Sequence, residues 1–299
     1  MGILASDVRL LFYSKKLGVS FKKTLTLGRL EFFASKKDIQ DCMDKYHNQD
    51  KEIGEVTFRD KYSEPLFEIL GAEKVDSMDV SDYEQATILH DLNLPLPQSL
   101  RQSFSVVVDG GTLEHVFNFP EAIRSSMMAV ETGGHYIGIT PANNQMGHGF
   151  YQFSPELYFR IFSDENGFRL KKMLLHVEVS PADVRWYEVS DPKVMRSRVS
   201  LINSIPLFLV VIAEKTAEKP IFATTPQQSD YAAVWSEHSA AVAATSQPVS
   251  SRLANIYRKW TPKRVKIVLH NIYDLFTREK AAEPGLGEFK AGHFVPVEL

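Results

Sequence analysis

The sequence predicts an α/β protein built on a mainly parallel sheet. Three observations carry this. Phe104-Ser-Val-Val-Val-Asp109 is a short β-branched run that stops at Gly110-Gly111, and a polar loop with Glu114 and His115 follows. A helix then runs to Gly133-Gly134, and a second apolar strand leads to Pro141. The loop of such a unit lies at the carboxyl end of a strand, where open α/β sheets bind ligands. Secondly, strand-like and helix-like segments alternate along the preceding chain. Thirdly, two strand-sized segments, 167–179 and 206–213, close the series and predict an antiparallel hairpin at one edge.

In order, residues 1–20 read as a peripheral lead-in, and Lys23 to Gly28 as a strand ending in a glycine turn. Ser35, with Asp38 three residues on, starts a helix through Tyr46. His47 to Glu55 is polar and loop-like. Ser63-Glu-Pro-Leu-Phe-Glu-Ile-Leu-Gly71 joins a cap, a first-turn proline, an apolar stripe and a closing glycine. Strands follow over 74–80 and 86–91. Ser154-Pro-Glu opens a further helix through Phe162. Residues 181–204 form a polar excursion between the last two strands. The expected division is one α/β domain over 1–219, a linker rich in Ala, Thr, Ser, Gln and Pro over 220–250 with helix around 232–242, and a helical tail over 251–299. Within that tail, Leu253 to Phe276 carries an apolar stripe, with six Lys and Arg residues between 252 and 266 and a break at Pro262.

The chain has 299 residues, 44% hydrophobic and 24% charged, an ordinary globular composition. A net charge of −3 gives no global case for nucleic-acid binding. Its single cysteine, Cys42, excludes an internal disulfide and any cysteine metal cluster, which suits a reducing compartment. No secretory signal and no apolar run of spanning length is read, so a cytoplasmic protein is expected.

The unit from Phe104 to Pro141, with its Leu113-Glu-His-Val116, resembles the fourth and fifth motifs of class I S-adenosylmethionine-dependent methyltransferases. The resemblance implies a Rossmann-like methyltransferase sandwich: a seven-stranded sheet, mainly parallel, with an antiparallel edge hairpin, here followed by a C-terminal helical extension. It implies S-adenosyl-L-methionine as cofactor. Asp79, at the end of the second strand, would hold the ribose hydroxyls, and Asp91 with the Leu92 amide would read the adenine. Gly110 and Gly111 would let the backbone come close to the cofactor. The competing reading makes Asp79 and Asp91 turn or cap residues. The first motif departs from the pattern: Leu27-Gly28-Arg29 has one glycine where the family has Gly-x-Gly-x-Gly, and about 30 residues precede the next clear helix. Arg29 is then a candidate for holding the methionine carboxylate.

His148-Gly-Phe-Tyr-Gln-Phe-Ser-Pro-Glu-Leu157 is similar to a signature of uncharacterised bacterial methyltransferases that lie among polysaccharide-assembly genes. This implies O-methylation of a sugar or glycan precursor, with His148 as base and Asn143, Asn144 and Tyr151 orienting the acceptor. The competing reading gives Tyr151 and its aromatic neighbours to packing and His148 to a turn. Glu114 and His115 border the cofactor in the family and sometimes supply the base. The histidines at 90, 115, 135, 148 and 176 include no i, i+4 pair, so no metal is expected. The basic tail is open to three readings: docking on the core, a homo-oligomer interface, or peripheral contact with an anionic inner-membrane surface. Two other classes compete with the enzyme. A non-catalytic methyltransferase-like module would explain the degenerate first motif. A nicotinamide-dependent oxidoreductase would need the Gly-x-Gly-x-x-Gly that this chain lacks.

Overall fold

Phe104–Asp109 (β4) is buried at all six positions, as a central strand covered on both faces must be. Alternate residues feed two cores. Val107 joins Leu25 and Leu27 on one face, while Val106 and Val108 face the other. The computed structural model that places these elements describes residues 2–47, 53–56, 60–180, 183–235, 280–283, 287–290 and 292–299. The linker beyond Trp235 and the basic segment 253–276 lie outside the described residues.

Among the described residues one mixed sheet holds nine strands. With β4 they are Lys23–Leu27 (β1), Lys74–Asp79 (β2), Ile88–Leu89 (β3), Val130–Pro141 (β5), Phe168–Ser180 (β6), Asp183–Val189 (β7), Leu207–Lys215 (β8) and Phe294–Val297 (β9). The spatial order is β9-β7-β6-β8-β5-β4-β1-β2-β3. Strands β1 to β5 are mutually parallel. Strand β8 runs antiparallel between β5 and β6, which gives the expected hairpin. The chain moves outward from β1 to β3 and then crosses back to β4 on the other side of β1. The order reverses there, so a crevice opens beyond the carboxyl ends of β1 and β4.

The expected count of seven strands is corrected to nine, with additions at the edge beyond β6. Strand β7 comes from the segment read as a polar excursion. Its charges are paired along the sheet, Arg185 with Asp183 at 2.7 Å and Glu188 with Lys172 at 2.6 Å, while Trp186 and Tyr187 are buried. Strand β9 comes from the tail expected to be helical, and in a small separate sheet Gly287–Lys290 pairs with Leu201–Ile202 on one side and Lys280–Glu283 on the other. The described part of residues 280–299 is therefore β structure. Gly133-Gly134 is a bulge inside β5 rather than a turn. Gly133 has φ +87°, the register with β4 shifts there, and a Cβ on Gly134 would lie 2.7 Å from the Ser105 carbonyl oxygen.

The expected lead-in is also corrected. Ala5–Lys16 (α1) is a helix that buries Val8, Leu10, Leu11 and Phe12. Buried Asp7 holds its first turn by accepting the Leu4 N–H at 2.9 Å. Lys36–Tyr46 (α2) starts as read: Ser35 Oγ accepts the Asp38 N–H, and Asp38 accepts the Ser35 N–H. Glu64–Ile69 (α3) has Pro65 in its first turn, but the Ser63 side chain makes no cap bond. Helices α1 to α3 cover one face of the sheet, and Phe119–Ala129 (α4) and Pro155–Ile161 (α5) cover the other. No helix among the described residues is long and apolar enough to cross a membrane.

Candidate active site

The crevice is organised by Asp109, the last residue of β4, which is fully buried. One carboxylate oxygen accepts the Thr112 and Leu113 N–H groups at 2.8 and 3.4 Å, and the other accepts the Tyr136 hydroxyl at 3.1 Å. Thr112 Oγ1 donates to the Leu27 carbonyl at 2.6 Å and ties the loop back to β1. Gly111 at φ +97° and Gly28 at φ +70° turn the two chains at the ends of β4 and β1. These bonds aim the short turn Leu113–His115 inward.

Glu114 in that turn has a side chain 1% exposed, yet neither of its carboxylate oxygens accepts a hydrogen bond. Burial, followed by the repulsion of nearby Asp109, pushes its carboxyl well above the ordinary range. The loop after β5 folds over it. Phe150 N–H donates to the Glu114 carbonyl at 2.8 Å, and Gly149, at φ +76°, passes so close that a Cβ there would lie 2.7 Å from that oxygen. This approach brings His148 Nε2 to 3.2 Å from Glu114 Oε1, without the alignment of a hydrogen bond. His115 Nε2 lies 4.0 Å from the same oxygen, and the two imidazole rings are 5.3 Å apart. Burial and then His148 lower the His115 pKa. Phe117 and Phe150, 74% and 67% exposed, meet edge to face at 5.9 Å and form an apolar rim. The site is thus a buried carboxylate flanked by two half-exposed imidazoles, a set suited to taking up a proton or a cation.

The other expected site residues divide. Asp79 sits half-buried at the end of β2, with one oxygen accepting the Ser81 N–H at 3.2 Å. Asp91 follows β3, but Oδ1 accepts both the backbone and side-chain N–H of Asn93, at 2.9 and 2.8 Å. Those bonds hold its carboxyl below the usual range and make it a turn residue. Leu92 beside it is buried. Arg29 does not fit the role of holding a cofactor carboxylate. Its guanidinium pairs with Glu64 at 2.6 Å and Asp60 at 3.1 Å and lies 3.8 Å over the Tyr62 ring. Asn144 is also corrected: at φ +63° it donates to the Ile205 and Asn203 carbonyls and pins a distant turn. Asn143 also points there, donating to the Leu201 carbonyl and to the Asn203 side-chain Oδ1. Tyr151 donates its hydroxyl to the Phe117 carbonyl at 2.6 Å, so it fastens the loop rather than an acceptor. Gly110 packs on Leu30, where a Cβ would come within 2.9 Å of both Leu30 δ-carbons.

Sequence reasoning missed Asp109, Thr112 and Gly149. An acid ending a wholly apolar strand was the available signal for the first. Nothing local marks the other two, whose partners lie far along the chain.

No protein-family model and no curated protein matches this chain. Solved structures do. The branched-chain polyamine synthase of Thermus thermophilus matches at 12% identity and TM-score 0.38, over 76% of this chain and 61% of its own, so the match spans about three-fifths of that enzyme. Geranyl diphosphate methyltransferase, solved with S-adenosylmethionine, matches at 12% identity and TM-score 0.37, over 71% of this chain and 85% of its own. An S-adenosylmethionine-dependent methyltransferase of Thermotoga maritima matches at 11% identity and TM-score 0.37, over 71% and 91%. At these identities and TM-scores the likeness carries no argument about activity.

Proposed function

We propose that the protein is an S-adenosylmethionine-dependent methyltransferase that methylates an oxygen of a hydroxyl-bearing acceptor, a sugar or glycan precursor. The observation that carries this is the buried, unpartnered Glu114 carboxylate beside His148 at the crevice between the ends of β1 and β4. Asp79 would accept the ribose hydroxyls, the Leu92 amide would meet the adenine, and Gly28 and Gly111 would give the backbone room at the methionine end. Bound S-adenosylmethionine would supply an electrophilic methyl group. The acceptor hydroxyl would meet the apolar rim of Phe117 and Phe150, and His148, beside Glu114, would take its proton as the methyl passes to the oxygen, the sulfonium C–S bond breaks and S-adenosylhomocysteine leaves.

One observation favours a second reading. Leu30, 1% exposed, is seated against Gly110, and Arg29 is spent on Glu64 and Asp60, so the chain's own side chains fill the place of the family's glycine loop. This suits a binding module of the same fold. Calorimetric titration with S-adenosylhomocysteine separates the two. Saturable binding, retained in His148→Ala while turnover falls by about 10²–10⁴, is expected of the enzyme. No heat at any accessible concentration leaves the binding module.

A further inference from the structure

Glu114, His115 and His148 each offer one ligating atom, and the three atoms lie within 4.8 Å of one another. They arrive from two different segments, the turn after β4 and the loop after β5, so sequence spacing gives no hint of them. We infer that these three side chains form a binding site for a divalent transition-metal cation, with Zn²⁺ as the fitting probe.

Two independent features point to a cation. The first is the donor set. Two imidazoles and one carboxylate are a three-ligand arrangement that holds such ions and leaves a further position open. The second is the state of Glu114. An acid sealed from solvent with neither oxygen accepting a hydrogen bond leaves a pair of unmet acceptors, and a bound cation would meet them. Both imidazoles turn Nε2 towards the same Oε1, and neither makes an aligned hydrogen bond to it.

The geometry needs little change. Ligand atoms on a four-coordinate Zn²⁺ stand about 3.3 Å apart. The His148–Glu114 separation is already 3.2 Å, and His115 must close from 4.0 Å. Both histidine side chains are a little under half exposed, at 45% and 43%, so rotation of the rings supplies the closure. Binding of the ion stands on this geometry alone. Its use rests on the methyltransferase reading: the ion would polarise an acceptor hydroxyl, whose proton passes to solvent, and His148 would then act as ligand in place of base.

The test uses full-length protein stripped with a chelator. Titration with ZnCl₂ alone is expected to give one ion per chain with a Kd on the order of micromolar or tighter. Glu114→Gln, His115→Ala and His148→Ala should each weaken it at least about tenfold. Co²⁺ in the wild-type protein should give the intense visible bands of a non-octahedral site, which needs no variant to fold, and Glu114→Gln should lose them. Absence of Zn²⁺ binding at millimolar concentration, or binding unchanged in all three folded variants, overturns the inference. A parallel titration with S-adenosylhomocysteine keeps the two readings apart: Zn²⁺ binding without S-adenosylhomocysteine binding upholds the metal site and defeats the methyltransferase.

Discussion

Replacing Gly149 with alanine should loosen the grip of the β5 loop on Glu114 while leaving the rest of the molecule intact. Two costs add. Gly149 sits at φ +76°, where an alanine loses on the order of 1 kcal/mol. The new methyl would also lie 2.7 Å from the Glu114 carbonyl oxygen and 3.0 Å from its Cγ, which forces the loop outward. The displaced loop gives up the bond from Phe150 N–H, worth about 1 kcal/mol. Together they shift the loop towards its open form by roughly 2–3 kcal/mol, or about 30- to 150-fold. Amide hydrogen exchange reads this directly: Phe150 should lose protection by that factor, while β4 amides keep theirs. Gly147→Ala is the internal control, because nothing lies within 4 Å of its Cβ position and its φ is not left-handed. Equal protection of Phe150 in Gly149→Ala and the parent would refute the close packing of this loop on Glu114.

Asp79→Ala should weaken S-adenosylhomocysteine binding by roughly 30- to 150-fold, for the loss of a charge-assisted contact to two hydroxyls; calorimetry with an unchanged Kd in a folded variant rules out the ribose role. Burial lifts the Asp7 carboxyl from 3.8 to about 7 against the opposing Leu4 bond, so the folded chain keeps a proton that the unfolded chain has released. That contribution is full below about pH 4 and lost as pH rises through 7, so Asp7→Asn, which keeps an acceptor for Leu4, should match the parent at pH 4 and exceed it at pH 8 by on the order of 4 kcal/mol. Melting curves that track each other across that range would contradict it. If the basic segment 253–276 meets membranes, the full-length protein should sediment with anionic liposomes at low salt and release at high salt; no sedimentation at low salt removes that role.

The sequence made the centre of this fold legible because its signals are local. The β-branched run of β4, the reciprocal Ser35–Asp38 cap and the alternation of elements each act over a few residues. The edge was not legible. In β7 the charged residues read as loop because their partners, such as Lys172 for Glu188, sit on a neighbouring strand. The helix α1 is not legible because its apolar residues precede any recognisable motif. At the site, proximity decided. Glu114 and His148 were each visible as chemistry, but only the turn of Gly149 against Glu114 joins them across the crevice. The same blindness misled the reading of Arg29, whose acid partners Asp60 and Glu64 lie more than thirty residues on, and of Asn144, whose carbonyl partners lie about sixty residues on.

Strand β9 has a consequence for how the chain is made. Its four residues pair with β7 from Trp186 to Val189, and Pro296 sits on the outer strand, where a missing N–H is tolerated. Residue 294 follows the end of β8 only after 78 intervening residues, so during synthesis the flank of β7 stands bare long after its own strands are complete. For that interval its unpaired backbone groups are open to the strands of neighbouring nascent chains. The late segment therefore covers a flank of β7 whose backbone groups would otherwise be open to edge-to-edge pairing.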